Sequence, residues 1–270
     1  MPVSDFSPAA CALLLDVLTD IASLAAAAIL EVPTDSLATR LKTDDSPVTA
    51  ADKIAEGIIL DGLRYLLPGV PVLSEESAAP AALGRSFVLV DPLDGTREFL
   101  AGRDEYTVNI ALVQDGRPTA GIIAAPACGL IWRGIAGQGA ERIAMDRAGL
   151  IAGTAVAIRT RPMPENPVAT VSRSHLDLAS ENFLSRWQNV TRISCGSALK
   201  FCRLAEGGAD IYPRLAPTSE WDIAAGHAIL AAAGGALTTP RGGSVVYGKA
   251  GSRVPGFIAW GDPSGATFIA

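Results

Sequence analysis

The stretch FVLVDPLDGTREFL at residues 87–100 places two carboxylates directly after a run of four apolar residues. The run is typical of a buried strand. Asp91 and Asp94 follow it three positions apart, with Pro92 and Leu93 between them. Like charges this close repel each other and raise each other's pKa unless a cation compensates them. The stretch therefore predicts either a strand end that shares metal ions between Asp91 and Asp94, or a plain Asx-type turn.

Three further groups of acidic residues are candidates for the same site: Asp52, the pair Glu75 and Glu76, and Asp222. Most of them fall where a predicted strand ends or a predicted helix begins, and such chain ends gather at one edge of a sheet, where ligand sites form. Oxygen-only ligands select hard cations, so the set favours Mg²⁺ or Mn²⁺ over Zn²⁺. Two such ions can hold both the attacking water and the leaving oxygen of a phosphoryl transfer.

Each of these acidic groups also has a simpler explanation. Asp52 follows Thr49 by three residues, which is the spacing of a helix capping box. Glu75 and Glu76 are typical of a solvated turn, and Asp222 of a helix start, where the macrodipole stabilises a carboxylate. The order and spacing of all the groups together, rather than any one of them, favour the metal site.

The composition predicts a globular protein with a small-molecule ligand. The chain has 270 residues, of which 49% are hydrophobic and 19% charged, enough to bury a core in one large domain or two smaller ones. The formal net charge of −6 disfavours nucleic acids and anionic membranes as partners, because binding them needs a basic surface. A small anionic substrate stays compatible with this charge, provided that cations line its site.

The apolar segment at residues 11–30 is predicted to be a core helix. It contains Asp16 and Asp20, each of which would cost roughly 2.5–3.5 kcal/mol near a bilayer centre. Seven apolar residues are expected on one side of it: Leu13, Leu14, Val17, Leu18, Ile21, Leu24 and Ala28. The first basic residue is Arg40, which does not fit a signal peptide. We therefore expect a cytoplasmic protein with no integral membrane segment; peripheral attachment to the inner membrane and the oligomeric state stay open.

The two halves of the chain differ in their pattern. The apolar runs within residues 106–125 predict a β-hairpin through Asp115 and Gly116. In the second half, predicted strands and helices alternate, which favours a second layered sheet. A cluster of prolines marks the boundary. We predict an α+β half with a largely antiparallel sheet at residues 1–155 and an α/β half at residues 156–270.

Four motifs in this order resemble those of the magnesium-dependent, lithium-sensitive phosphomonoesterases that include inositol monophosphatase. The family's D-P-[LI]-D-G-T motif matches residues 91–96, and its W-D-x-A-A-G motif matches residues 221–226. The Glu-Glu pair at residues 75–76 and the V-T-x-x-D run at residues 48–52 are also similar. The resemblance implies the layered αβαβα sandwich of the sugar-phosphatase superfamily, with the metal site between its two halves.

Within this family, the sequence resembles the 3′(2′),5′-bisphosphate nucleotidases. The first motif continues R-E-F at residues 97–99, where inositol monophosphatases have T-N-F. The segments at residues 44–47, 172–175 and 196–201 are also similar to the nucleotidase branch. One departure is Ala198, where that branch has a second serine. The departure puts a hydroxyl contact in doubt, but not the fold.

The resemblance implies a ligand set for two or three Mg²⁺ ions, with Mn²⁺ as an alternative and Li⁺ as an inhibitor. Glu75, Asp91 and the Leu93 carbonyl would bind one ion. Asp91, Asp94 and Asp222 would bind a second, which makes Asp91 the bridging ligand.

The same resemblance implies the groups that carry out hydrolysis. A third, more loosely bound ion would use Glu75 and waters near Glu76 and Asp52. Asp52 and the Thr96 hydroxyl would orient the attacking water, so Asp52, Thr96 and Glu76 are the expected catalytic residues. The backbone N–H groups of Gly95 and Thr96 would hold the scissile phosphate.

The second half of the chain would select the substrate. Ser197 and Lys200 lie three residues apart at a predicted helix start, so both can face one phosphate, and His175 and Arg214 would join them. The implied reaction is Mg²⁺-dependent hydrolysis of the 3′-phosphate of adenosine 3′,5′-bisphosphate to AMP and phosphate, which recycles a by-product of sulfate activation. The alternatives are an inositol monophosphatase or a fructose-1,6-bisphosphatase on the same fold and, in another class, a non-catalytic metal and nucleotide binder.

Overall fold

The first half of the chain forms a seven-stranded sheet and three helices. The protein was analysed as a computed structural model, which describes residues 5–33, 40–41, 47–77, 82–173 and 177–269. The elements of this half are, in chain order, α1 Pro8–Leu30, β1 Arg40–Leu41, β2 Pro47–Val48, α2 Ala50–Leu66, β3 Val72–Ser74, β4 Ser86–Asp94, α3 Thr96–Leu100, β5 Thr107–Gln114, β6 Arg117–Ala125, β7 Leu130–Ile135, β8 Gly139–Ala144 and β9 Val156–Ile158.

The seven-stranded sheet runs from β3 to β9 in chain order. β3 is parallel to β4, and each later pair is antiparallel. The hairpin between β5 and β6 turns through Asp115 and Gly116, at φ of 51° and 71°, as tight two-residue hairpins require. The predicted hairpin is thus confirmed. The sheet extends to Ile158; the division of the chain at residue 155 stays a prediction.

The second half forms a five-stranded mixed sheet. Its elements are β10 Val168–Ser172, α4 Leu178–Leu184, β11 Thr191–Cys195, α5 Leu199–Ala205, β12 Ile211–Arg214, β13 Thr218–Ser219, α6 Ala224–Ala232, β14 Ala236–Thr238, β15 Arg253–Val254 and β16 Phe257–Trp260, followed by a 3-10 turn Pro263–Ile269. The strand order is β11-β10-β12-β16-β14, with β10 parallel to both of its neighbours and β16 antiparallel to β12 and β14.

Three hydrophobic cores separate five layers. The first core lies between the pair α1 and α2 and one face of the large sheet, and the second lies between the other face, the helices α5 and α6, and the small sheet. The third joins the outer face of the small sheet to α4. The predicted αβαβα sandwich is therefore confirmed, and α5 and α6 form its central helical layer.

Close packing fixes α6 within this central layer. A Cβ atom added to Gly121 of β6 would lie 2.4 Å from the Ala225 carbonyl oxygen, and one added to Gly226 would lie 2.3 Å from the Phe201 ring. Only glycine permits such close approaches of α6 to the strand β6 and to the helix α5. Helix α6 starts just after Asp222. The two glycines therefore help to fix the distance between the Asp222 carboxylate and the seven-stranded sheet.

Helix α1 is a core helix, but its buried face is not the predicted one. Leu14, Leu18 and Ile21 are buried as expected, whereas Leu13, Val17 and Leu24 are exposed, Leu13 by 83%. The correction has a simple cause: alanines complete the buried stripe, because small residues let α1 approach the sheet and α2 closely. α1 is long and apolar enough to cross a membrane by length and composition, yet half of its most apolar window is buried inside the protein.

Candidate active site

The two carboxylates of the opening stretch lie on a β-bulge at the end of β4. Asp91 pairs with Asn109 of β5 and Asp94 pairs with Thr107. Three residue intervals on β4 therefore lie opposite two residue intervals on β5. Such a bulge bends the strand and redirects its side chains. The Leu93 N–H also donates to Asp91 Oδ1 at 3.1 Å. This is an Asx turn, so the simpler explanation of the motif is present together with the clustering of acidic groups.

Gly95 turns the chain from this bulge into α3. Its φ is 92°, a left-handed conformation that glycine adopts without strain. An added Cβ atom would lie 2.9 Å from the Glu105 carbonyl oxygen, so the turn also needs glycine for space. The D-G-T sequence therefore places Thr96 as the first residue of α3, on the wall of a cleft.

Asp52 serves two purposes at once. Its Oδ2 accepts hydrogen bonds from the Thr49 N–H at 2.8 Å and the Thr49 hydroxyl at 2.6 Å, which completes a capping box at the start of α2. Its Oδ1 faces the Thr96 hydroxyl at 3.1 Å. The capping explanation is therefore correct, and the second oxygen still provides the predicted pairing of Asp52 with Thr96.

Asp222 is held next to the bulge by the strand before it. Its Oδ2 accepts hydrogen bonds from the Thr218 hydroxyl and from the Ser219 N–H at 3.1 Å. Asp222 lies before the first turn of α6 rather than within the helix. This anchoring points one carboxylate from the second half of the chain at the carboxylates of the first half.

The pKa shifts of Asp91 and Asp94 reflect burial and the closeness of four acidic side chains. Burial, then the neighbouring Glu75, Asp94 and Asp222, raise the pKa of Asp91 well above its usual value. Burial and Asp222 raise the pKa of Asp94 to about 7, although Lys200 and Arg214 lower it. The nearby cations thus do not compensate the acids in full.

The donor set fits hard divalent cations. Four carboxylates that are buried or half-buried, with no nearby sulfur or imidazole ligand among the described residues, carry negative charge that the local cations leave in excess. In the described part of the chain, no group of three or more His, Cys, Asp or Glu side chains is placed to hold a metal ion as it stands, so the ligand roles stay a prediction. Mg²⁺ needs few protein ligands, because it keeps several waters and completes its shell with substrate phosphate.

The predicted site residues gather around one cleft of about 210 Å³. Eight of them line it: Glu75, Asp94, Gly95, Thr96, Ser197, Lys200, Arg214 and Asp222. Asp52 and Asp91 are buried behind this lining, as is Leu93. Glu76 is half-buried in the turn after Glu75. His175 lies outside the described residues, so its predicted role stays a prediction.

Lys200 is placed differently from a mobile surface cation. It is buried, and its Nζ donates to the Ser197 carbonyl at 2.6 Å and the Cys195 carbonyl at 3.2 Å. The ammonium lies 5.2 Å from the centroid of the Tyr212 ring. Lys200 therefore fixes the loop at residues 195–197, and only one of its three N–H donors is left for a ligand.

Two polar atoms on the same wall have no hydrogen-bond partner. Ser197 Oγ and Arg214 Nε are both buried without one. Buried polar groups are rarely left unsatisfied, so these atoms mark places where a bound ligand supplies the missing partner. Ser197 also has a φ of 44°, a strained conformation for serine that is typical of functional sites.

Sequence patterns missed several residues around the cleft. Asn109 is buried opposite Asp91 and its amide lies 3.5 Å from Asp94 Oδ2, but a polar residue within an apolar strand was its only signal. Tyr212 was noticed only as part of a motif, although its ring supports Lys200. Glu105 and Arg173 form an ion pair beside the cleft, and nothing in the sequence links two residues so far apart.

The crowded carboxylates have a measurable consequence for the metal-free protein. Because the pKa of Asp94 is raised from 3.8 to about 7 on folding, the folded state disfavours its ionised form. The resulting loss of stability is absent below pH 3.8 and grows as the pH rises to about 7. Asp94→Asn is therefore expected to raise the melting temperature in EDTA by several degrees near pH 7, but hardly at all near pH 4, since ~1 kcal/mol corresponds to roughly 2–4 °C.

Calorimetry of the variant and the wild type at both pH values checks this expectation. Asp104→Asn, which changes an exposed acid outside the cluster, is the matched control. A gain in melting temperature that is the same at both pH values would contradict the electrostatic picture.

A sequence model of the inositol monophosphatase family matches residues 12–261 of this chain. Two similar curated proteins are both named 3′(2′),5′-bisphosphate nucleotidase CysQ. The one from Escherichia coli (strain K12) is 40% identical over 228 residues, which are 82% of this chain and 88% of the relative. The one from Salmonella typhimurium is 44% identical over 196 residues, which are 71% of this chain and 76% of the relative.

Solved structures agree with the sequence matches. CysQ from Bacteroides thetaiotaomicron, a bacterial member of the inositol monophosphatase family, has a TM-score of 0.76 at 34% identity and covers 93% of this chain and 97% of its own. The inositol monophosphatase of Thermotoga maritima has a TM-score of 0.76 at 25% identity, with 94% of each chain covered.

Proposed function

Because the chain belongs to the inositol monophosphatase family, as its motifs indicated, we propose that it is a 3′(2′),5′-bisphosphate nucleotidase. Its reaction is hydrolysis of the 3′-phosphate of adenosine 3′,5′-bisphosphate to AMP and phosphate. One observation supports a substrate with two phosphates: the cleft that presents the carboxylates of Glu75, Asp94 and Asp222 also presents the cations Lys200 and Arg214. The curated relatives at 40–44% identity bear the same activity in their names. In the cell, the reaction removes a by-product of sulfur metabolism, and we expect it to occur in the cytoplasm.

The Asp52 and Thr96 pair provides a path for the proton of the attacking water. The Thr96 hydroxyl lies 3.1 Å from both Asp52 Oδ1 and the Leu93 carbonyl oxygen, and it has one proton to donate. When it donates to Asp52, a lone pair of Thr96 Oγ1 is left to accept a hydrogen bond from water at the cleft wall. The water proton then moves toward Thr96 while Asp52 accepts the Thr96 proton.

The acidic cluster would hold the cations on which enzymes of this family generally depend. Glu75, Asp91 and the Leu93 carbonyl would hold one Mg²⁺, and Asp91, Asp94 and Asp222 a second. Bound there, the ions would neutralise the scissile phosphate and polarise the water. Mn²⁺ is an alternative ion and Li⁺ an inhibitor in this proposal.

The remaining groups of the cluster have supporting roles. A third, looser ion would use Glu75 and waters near Glu76 and Asp52. Gly95 and Thr96 line the cleft directly after these ligands. This position supports their proposed role in holding the scissile phosphate through backbone N–H groups.

The phosphate that is not cleaved would bind at the cationic side chains of the cleft. Arg214 Nε and Ser197 Oγ lack partners, and an arginine fork matches phosphate geometry. Lys200 contributes its remaining N–H donor, and His175 stays a further candidate. Ala198, where a serine was expected, directly precedes α5 and is buried in the hydrophobic core around that helix, so its methyl group leaves no hydroxyl there for a substrate contact.

Arg214 provides the clearest test of this second phosphate site, because Lys200 also fixes the neighbouring loop. Arg214→Leu is expected to raise KM for the bisphosphate by ~10- to 100-fold, since a hydrogen bond to a charged group contributes ~1.5–3 kcal/mol. KM for inositol 1-phosphate, which lacks a second phosphate, should change little. The KM of Arg214→Lys for the bisphosphate should lie between those of the wild type and Arg214→Leu, because lysine keeps the charge but lacks the planar guanidinium group. Equal losses on both substrates would place Arg214 at the scissile phosphate.

A substrate panel tests the proposed function as a whole. With Mg²⁺ present, phosphate release is measured from adenosine 3′,5′-bisphosphate, inositol 1-phosphate and fructose 1,6-bisphosphate. The proposal predicts the highest kcat/KM for the nucleotide. Preference for either of the other esters would assign the rival activity on the same fold, and no turnover of any ester would support a non-catalytic binder.

A further inference from the structure

The ion pair of Glu105 and Arg173 joins the two halves of the protein beside the cleft-lining residues Ser172 and Gly196. Glu105 precedes β5 in the first half, and Arg173 follows β10 in the second. Arg173 Nε donates to Glu105 Oε2 and its Nη2 donates to Oε1, both at 2.7 Å. This two-pronged geometry is the most specific that an arginine and a carboxylate can form.

The same pair holds the loop that carries Ser197. The Gly196 N–H donates to Glu105 Oε2 at 3.0 Å, and Arg173 Nη2 also donates to the Ser194 carbonyl at 3.0 Å. Glu105 thus binds the second half of the chain by one side-chain contact and one backbone contact. We call Glu105 and Arg173 the cleft clasp.

The backbone of Glu105 lies close to both walls of the cleft. An added Cβ atom on Gly95 would lie 2.9 Å from the Glu105 carbonyl oxygen, and one on Gly196 would lie 2.8 Å from that same oxygen. Gly95 belongs to the wall that would hold the scissile phosphate, and Gly196 to the wall that bears Ser197 and Lys200. The Glu105 peptide group therefore contacts both walls, and the walls also meet directly, because the added Cβ atom on Gly95 would lie 3.4 Å from Ser197 Cβ.

We propose that Glu105 is a positioning residue: through the cleft clasp it sets the span between the acidic wall at Asp94 and the cationic wall at Ser197 and Arg214. The inference rests on the proposed function, because only a substrate with two phosphates must touch both walls. A small monoester binds one wall and is insensitive to the span. The clasp therefore affects the affinity for a substrate with two phosphates, and not the rate of the chemical step.

The exposure of the pair favours positioning over stabilisation. The Arg173 side chain is 38% exposed and that of Glu105 is 23% exposed, and ion pairs near the surface contribute little to the free energy of unfolding. A small change of span, in contrast, would move Arg214 and Ser197 relative to the second phosphate, and a loss of only ~1.4 kcal/mol in binding is tenfold in affinity. Loss of the clasp should thus affect the bisphosphate far more than the fold.

The test compares Glu105→Gln and Arg173→Met, singly and together, on adenosine 3′,5′-bisphosphate and on inositol 1-phosphate. Each variant should raise KM for the bisphosphate by about tenfold and change kcat by less than about threefold, with little change on the inositol ester. The double variant should be no worse than the single ones, because both remove one interaction. Binding of AMP, measured by calorimetry, should change little, because its single phosphate does not bridge the two walls.

A matched control is the pair of Arg85 and Asp115, which has the same two-pronged geometry at 2.6 and 2.8 Å away from the cleft. Arg85→Met should leave KM for both substrates unchanged. Melting temperatures of all variants separate a folding defect from a change of span. Gly196→Ala, whose added Cβ atom would lie 2.8 Å from the Glu105 carbonyl oxygen and 3.2 Å from Glu105 Oε2, disturbs the clasp from the side of the loop and should reproduce the selective rise in KM.

The outcomes separate the two proposals. If the wild type prefers the bisphosphate but the clasp variants lose activity equally on both esters, or lose none, the clasp inference is wrong and the function stands. If the wild type prefers the inositol ester, the proposed function is wrong and the inference about the span falls with it.

Discussion

Asp94→Asn is expected to lower kcat by ~10³-fold or more while the protein stays folded. Asparagine is nearly the same size as aspartate, so packing is preserved. The negative charge that would help Asp222 and Asp91 to hold a cation is lost. Metal ions contribute several kcal/mol of transition-state stabilisation, and each ~1.4 kcal/mol is tenfold in rate. Single-turnover and steady-state kinetics at saturating Mg²⁺ measure the effect.

Two observations make this loss specific. The same variant should melt higher than the wild type in EDTA near pH 7, so low activity cannot come from unfolding. The control Asp104→Asn should keep kcat within about twofold, because that acid is exposed outside the cluster. Near-normal kcat in Asp94→Asn would show that Asp94 is not a ligand.

Thr96→Val should lower kcat by ~10²- to 10⁴-fold, the usual contribution of a positioned acid–base group. Valine keeps the branched shape but has no hydroxyl to pass a proton to Asp52 Oδ1, whereas the capping box at Thr49 stays intact. KM should change little, because valine has nearly the same shape as threonine and the lining of the cleft is unchanged. Thr96→Ser, which restores the hydroxyl, should recover most of the rate.

Asp52→Asn gives the complementary measurement. The amide can still cap α2 through its oxygen but presents N–H donors to Thr96, so the Thr96 proton has no acceptor. A loss as large as that of Thr96→Val, and no further loss in the double variant, would show that the two residues act as a unit. Additive losses would contradict the proposed proton path.

The opening motif could be interpreted from the sequence because its information is local. An apolar run followed by two acids predicted a strand end with an Asx turn or a metal site, and the structure has the strand and the Asx turn. The bulge and the left-handed turn at Gly95 were not predicted. Asp52 was less certain because one pattern allowed two explanations: the capping box is present and the second oxygen meets the Thr96 hydroxyl, while the catalytic role stays a prediction. The resemblance of several motifs supplied the ligand roles, which neither spacing nor charge alone could assign.

The predictions that failed depended on packing partners outside the segment. The buried stripe of α1 follows alanines as well as leucines, since the distance to α2 decides which side chains fit. For Lys200, the sequence predicted a place facing a phosphate but could not show that Nζ also donates to the carbonyls of Cys195 and Ser197. The clasp of Glu105 and Arg173 joins residues 68 positions apart, and no local pattern encodes such a contact.

The central claim is that this chain removes the 3′-phosphate of adenosine 3′,5′-bisphosphate with the help of divalent cations held by its acidic cluster. The most direct measurement is chromatographic identification of the nucleotide product, with Mg²⁺ and with excess EDTA. We predict AMP with its phosphate at the 5′ position and one equivalent of free phosphate with Mg²⁺, and no product in EDTA. Undiminished turnover in EDTA, or a product that keeps the 3′-phosphate, would contradict the account.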